Sequence, residues 1–125
     1  MSLAMRVHKK HVIEYGDARF NRMKDVIEYL FAKYMSANFY ADYEGEGCEW
    51  EMLRTSLQEL HDSLANGEIT DEDLSKLIKK FPFETREVSA NYFREYLLVG
   101  INYMLQNADP NNEYVYVSWL SLIHI

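Results

Sequence analysis

The sequence has a single cysteine, Cys48, and no apolar run long enough to cross a membrane. One cysteine cannot form an intrachain disulfide, which excludes a disulfide-stapled secreted scaffold and favours a reducing, cytoplasmic compartment. A bilayer crossing needs about 20 consecutive apolar residues, but the best stretch, residues 97–105, is short and interrupted by Gly100 and Asn102. Residues 1–5 lack the apolar core of a signal peptide. No membrane association is expected.

Motifs for catalysis and ligand binding are also scarce. The sequence has no Gly-x-Ser-x-Gly elbow, and its one Gly-x-Gly, at residues 45–47, lies among acids without the third glycine of a phosphate loop. His8 and His11 would lie on opposite faces of a strand, so they cannot share a metal. The acids beside Cys48 raise the pKa of its thiol and weaken it as a nucleophile. We therefore expect no enzyme activity, metal or cofactor.

The composition is that of one folded domain spanning residues 1–125. Hydrophobic residues make up 48% and aromatic residues 14% of the 125 positions, which is enough to build a single core. No linker, repeat or low-complexity tract divides the chain. Residues 1–4 are left out of the fold prediction, because Met5 can itself be a start residue.

Charge is distributed unevenly along the chain. The net charge is −7, yet residues 1–40 carry a net charge of +3. Residues 42–73 hold eleven acids and one base, Arg54, which gives them a net charge of −10. Such a segment repels a phosphate backbone, so direct nucleic-acid binding is not expected. It attracts a basic protein surface and accelerates encounter with it.

A strand is predicted near each end of the chain, at residues 6–15 and 113–125. The first alternates apolar and polar positions with few exceptions, as a half-buried strand does. The second begins Tyr-Val-Tyr-Val at residues 114–117 and is apolar on both faces, so it needs cover. The two strands are expected to pair, and a homodimer through strand edges is one way to cover the second.

Four helices are predicted between these strands from apolar residues that recur at intervals of three and four. The last helix is expected to be central and buried, because its second half has no polar face. Thr70 is expected to cap the third helix, and Pro82 to limit its length. Residues 41–48 are predicted to form an acidic loop. The four helices are predicted at residues 18–39, 49–65, 70–81 and 85–106.

Residues 62–73 resemble the twelve-residue EF-hand calcium loop. Asp62, Asn66 and Gly67 match its first, fifth and sixth positions. The third position, however, is Leu64, which offers no oxygen ligand, and the twelfth is Asp73 in place of a bidentate glutamate. We interpret the segment as an ordinary turn between two helices, and a calcium site remains the alternative.

The segment 38–50 combines aromatic side chains with acids, a pattern typical of interface hot spots. The alternative is a solvated loop whose aromatic residues fold back onto the core. If the segment binds a partner, the residues expected to contact it are Asp42, Tyr43, Glu44, Glu46, Glu49, Trp50 and Glu51.

Together these features predict an α+β fold of about four helices, with a small sheet formed by the N-terminal and C-terminal strands. The expected function is non-catalytic binding of a protein with a basic surface. Acidic inhibitors, immunity proteins and accessory proteins of mobile elements offer an analogy of charge and size. Two alternatives remain: a structural or accessory subunit that acts as a homo-oligomer, and a small enzyme whose site is assembled from residues distant in sequence.

Overall fold

Five strands and four α-helices form the described part of the chain. The structure is a computed structural model that describes residues 3–8, 12–15, 23–43 and 48–121. A short 3-10 helix, Ser36–Asn38, follows the first α-helix. The elements in chain order are β1 (Leu3–His8), β2 (Val12–Tyr15), α1 (Lys24–Met35), β3 (Phe39–Asp42), β4 (Cys48–Leu53), α2 (Arg54–Ala65), α3 (Asp71–Lys80), α4 (Ala90–Asn107) and β5 (Tyr114–Ser121).

The strands form one antiparallel sheet in the order β2-β1-β5-β4-β3. Strand β5 therefore lies at the centre, with Met5 of β1 opposite Trp119 on one side and Met52 of β4 opposite Val115 on the other. The predicted α+β class and the predicted pairing of the terminal strands are confirmed. The sheet is larger than expected because β3 and β4 join it, and the predicted strand 6–15 is two strands paired as a hairpin.

The main correction concerns residues 39–42 and 48–53. Ala41 and Asp42 of the predicted loop lie in β3, whereas Cys48 and the start of the predicted second helix form β4, so the helix begins only at Arg54. In β4 the residues Cys48, Trp50 and Met52 are buried, which is the period of two that a strand requires. Trp50, Leu53 and Leu57 also fit a helical spacing, so the local pattern alone favoured the wrong element.

The helices cover one face of the sheet. Trp50, Met52, Val115 and Val117 face them and are almost fully buried. On the opposite face Tyr40 and Tyr116 remain exposed, as one-sided antiparallel sheets allow. None of the helices in the described ranges is long and apolar enough to cross a bilayer.

Helix α4 is only partly central. Three of its residues are buried on the inner side, namely Leu97, Ile101 and Met104. Val99, on the outer side, is 61% exposed. The expectation of a helix without a solvent face is therefore wrong. The apolar second half of α4 therefore includes exposed positions, and amino-acid composition alone does not distinguish them from the buried positions.

The boundaries of two helices follow from capping. Thr70 and Asp73 form a capping box at the start of α3, as its sequence predicts. The backbone amide of Thr70 donates to the Asp73 carboxylate and lowers its pKa. Helix α1 has no such cap of its own. Instead Glu84 accepts from the Val26 amide at 2.8 Å, which fixes the loop before α4 to the start of α1.

Arg54 joins the start of α2 to the end of α4. Its Nε donates to the Asn112 carbonyl at 3.0 Å and its guanidinium also donates to the carbonyls of Leu105 and Asp109. A cation beside the last carbonyls of a helix is favourable. The one base of the acidic stretch is thus occupied by main-chain carbonyls.

We expect Arg54→Ala to lower the free energy of unfolding by about 2–3 kcal/mol, because three half-buried carbonyls lose their donor. Arg54→Lys keeps the charge but cannot reproduce the fork of donors, so it should recover less than half of that loss. Chemical denaturation measures both changes. Arg86→Ala, at an exposed arginine in the loop before α4, serves as the control. A change in Arg54→Ala no larger than in this control would contradict the assignment.

Candidate functional site

Strand β4 has two chemically different faces. Trp50 points into the core and is 1% exposed, whereas Glu49 and Glu51 point to the other side of the sheet. Trp50 meets the rings of Phe31 and Phe39 edge-on, with centroids 5.4 and 5.6 Å away. The packed indole therefore fixes the direction in which the two carboxylates project.

The strand register assembles a surface that combines acidic and aromatic residues. Asp42, Glu49 and Ser118 lie opposite one another across β3, β4 and β5, and Tyr40, Glu51 and Tyr116 form the next row. These two rows line a groove of about 420 Å³, together with Trp50 and Val117. We call the two rows the acidic face; its members are Tyr40, Asp42, Glu49, Glu51, Tyr116 and Ser118.

The carboxylates of the acidic face have no ion pair with any described residue. The ion pairs within the described ranges involve Asp25, Glu28, Asp62, Asp71 and Glu72 instead. Asp42 lies directly opposite Glu49, and like charges in that position destabilise a sheet by roughly 0.2–1 kcal/mol. The pair sets two negative charges side by side, and in the same row the register places Arg6 of β1 opposite Ser118.

Several acids that follow β4 in the sequence have an ion-pair or hydrogen-bond partner. Asp71 accepts from Arg94 at 2.8 Å, and Glu72 lies 3.6 Å from Lys76. Asp62 accepts from Gln58 at 3.0 Å and contacts His61, and these contacts lower the pKa of its carboxyl. Much of the acidic charge of α2 and α3 is therefore balanced locally, and the charge of the acidic face is not.

Tyrosines flank the carboxylates. Burial is the main cause that raises the pKa of Tyr116, and the neighbouring Glu51 carboxylate adds to the shift. The ring of Tyr114 lies 6.4 Å from that of Tyr116 and extends the aromatic surface along β5. Tyr40 is 59% exposed on the edge strand β3. The face thus offers both negative charge and accessible ring surface.

A half-buried polar cluster holds β4 from the helix side. Glu28 of α1 accepts from the Trp50 indole nitrogen at 2.9 Å and from the Tyr43 hydroxyl. The Lys24 ammonium lies 3.5 Å from the same carboxylate and 4.8 Å from the centre of the Tyr43 ring. Burial, followed by the bond to Glu28, raises the pKa of Tyr43. The cluster fixes both ends of the β3–β4 connection to α1.

Cys48 belongs to this cluster and not to a loop. It is buried at the start of β4, and its thiol lies 3.8 Å from Glu28. The pKa of the thiol is raised, as the sequence predicts. The main cause of this raised pKa is burial. Glu28 also raises it, whereas the sequence had suggested the acids adjacent to Cys48 in the chain.

The predicted contact residues fall into three groups. Asp42, Glu49 and Glu51 lie together on the acidic face. Tyr43 is 59% exposed but bonds to Glu28, and Trp50 is in the core, where a partner cannot reach it. Glu44 and Glu46 lie outside the described residues. Tyr40 lay in the aromatic segment 38–50 but was not chosen as a contact residue, and sequence reasoning missed Tyr116; only the register brings both beside Glu51.

The segment resembling a calcium loop is an ordinary helical turn. Gly67 adopts a φ of 83° after α2, the Asn66 side chain accepts from the Glu68 amide, and Asp73 is engaged by Thr70. Leu64 is fully buried, as its helical spacing predicts. In the ranges that the structure describes, no three His, Cys, Asp or Glu side chains are grouped to hold a metal ion.

No protein-family model, curated protein or solved structure matches this chain.

We expect Glu28→Ala to lower the free energy of unfolding by about 3 kcal/mol, because the buried Lys24 ammonium and the Trp50 indole both lose an acceptor. Glu28→Gln retains an acceptor and should lose less. Urea unfolding followed by tryptophan fluorescence measures the loss. The control is Glu95→Ala, at an exposed glutamate of α4. Equal stability of Glu28→Ala and this control would show that the cluster does not hold β4.

Proposed function

We propose that the protein is a non-catalytic binding protein whose acidic face docks onto a basic surface of a protein partner. The observation that carries this proposal is the row register of β3, β4 and β5, which gathers Asp42, Glu49 and Glu51 on the face of the sheet opposite the described helices. These carboxylates have no ion pair among the described residues, so a cationic partner would neutralise them.

The chemistry of the face fits such a partner. Negative charge on a sheet surface steers a basic protein toward it and favours the correct orientation on contact. Exposed tyrosines provide rigid contact area with little loss of side-chain entropy, and their rings attract cations. Glu44 and Glu46, which follow β3 in the sequence, remain predicted contacts of the partner, and so does the exposed part of Tyr43 on the helix side of the sheet. An inhibitor-type or immunity-type role is consistent with these properties.

Self-association is the second candidate. In the described sheet β3 is an outer strand, and its outer edge has no strand paired to it. Strand β5 is paired on both sides, so a homodimer through strand edges would use an outer strand. We also propose a cytoplasmic location, because the only cysteine is a buried free thiol.

Neutralising the acidic face should weaken partner binding. In the triple variant Asp42→Asn, Glu49→Gln, Glu51→Gln, each carboxylate becomes an amide of the same shape. Affinity purification from the native host would supply candidate partners, and titration of each purified partner would give its affinity. We expect a loss of about 30-fold, which corresponds to about 2 kcal/mol for three charge contacts.

The matched control is Glu59→Gln, Glu72→Gln, Glu95→Gln, which removes the same charge from exposed positions on α2, α3 and α4. It should keep the affinity within about twofold. Equal losses of affinity in the two triple variants would show that binding depends on net charge and not on the acidic face. Full affinity in the first variant, or partners without a basic surface, would refute the proposed function.

A further inference from the structure

One row of the acidic face places a carboxylate between two tyrosines. Glu51 of β4 lies directly opposite Tyr40 on one side and Tyr116 on the other. Directly opposed side chains have Cβ atoms about 4.5–5.5 Å apart, so both rings stand beside the carboxylate. The row presents an anion at its centre and an aromatic face at each flank.

We propose that this row recognises an arginine side chain of the partner, whose guanidinium pairs with Glu51 and lies against the rings of Tyr40 and Tyr116. Asp42 and Glu49, in the adjacent row, provide negative charge for a second cationic residue. The inference rests on the proposed function and specifies the residue type that the groove selects.

The geometry favours arginine over lysine. A guanidinium is planar, donates two parallel hydrogen bonds to one carboxylate and stacks on aromatic rings. Both oxygens of the Glu51 carboxylate carry lone pairs that can accept such a pair of bonds. A lysine ammonium is a compact, strongly hydrated charge that any of the three carboxylates would serve equally. The groove of about 420 Å³ has room for one long side chain and its main chain.

The flanking rings provide the selective contact. Tyr40 is 59% and Tyr116 38% exposed, so both rings are accessible from solvent. A cation within about 6 Å of a ring centre is attracted to its face, and arginine makes this contact more often than lysine. Two such contacts, made by the arginine and not by the lysine, correspond to a preference of about tenfold.

The test is a titration of the intact protein with a short Gly/Ser peptide that carries arginine at alternate positions. Matched peptides carry lysine or the neutral citrulline at the same positions. Fluorescence anisotropy gives each dissociation constant. We expect the arginine peptide to bind about tenfold more tightly than the lysine peptide, and the citrulline peptide to lose most of the affinity.

Removing one of the two tyrosine rings should abolish the preference for arginine over lysine but not the attraction of the face for cations. Tyr40→Leu and Tyr116→Leu are expected to bring the arginine and lysine peptides to within about twofold of each other. Phe83→Leu, at an aromatic residue that is 85% exposed outside the groove, is the control and should keep the preference. Circular dichroism of each variant confirms folding, and the comparison in the unsubstituted protein does not depend on any variant.

The outcomes separate the two proposals. Equal affinity of the unsubstituted protein for the arginine and lysine peptides would overturn the selection of arginine and leave a basic partner in place. Failure of both charged peptides to bind would contradict the proposed function as well. Equal affinity for the citrulline peptide would also overturn the inference, since charge would then play no part.

Discussion

The hydrogen bond from the Trp50 indole to the half-buried Glu28 carboxylate is the contact on which the orientation of the acidic face depends. It fixes strand β4 against helix α1 and, because side chains alternate along a strand, it sends Glu49 and Glu51 to the opposite side. Glu28 also receives the Tyr43 hydroxyl and the Lys24 ammonium, so a single carboxylate holds both sides of the β3–β4 connection. A shift of one residue in this strand would bury the acids and expose the indole.

The acidic face brings like charges together at cross-strand positions, where opposite charges would stabilise the sheet. Asp42 and Glu49 are cross-strand neighbours, and Arg54, the base closest in sequence to β4, is engaged by carbonyls at the end of α4. Local rules of stability are thus broken on one face while the core beneath it is well packed. Departures of this kind are expected at functional sites, where binding and not folding determines the residue type. A guanidinium-bearing partner would supply the missing positive charge.

Much of the fold could be predicted from local signals, and the site only in part. The capping box of Thr70 and Asp73 defined helix α3, and the Tyr-Val alternation defined the two faces of β5. The β3–β4 hairpin could not be found in this way, because Trp50 and Leu57 also fit a helical repeat and long-range pairing with β5 decides between the two. For the same reason Asp42, Glu49 and Glu51 were chosen by composition. Tyr40 belongs to the aromatic segment 38–50, but only the register places it and Tyr116 beside Glu51.

We expect the apposition of Asp42 and Glu49 to lower the stability of the fold. Urea unfolding of Glu49→Gln at low and at high salt measures this cost, because the substitution removes repulsion with Asp42 and Glu51 while preserving side-chain size. The expected result is a gain in the free energy of unfolding of about 0.5 kcal/mol at low salt, which shrinks as salt screens the charges. A loss of stability at low salt would contradict it.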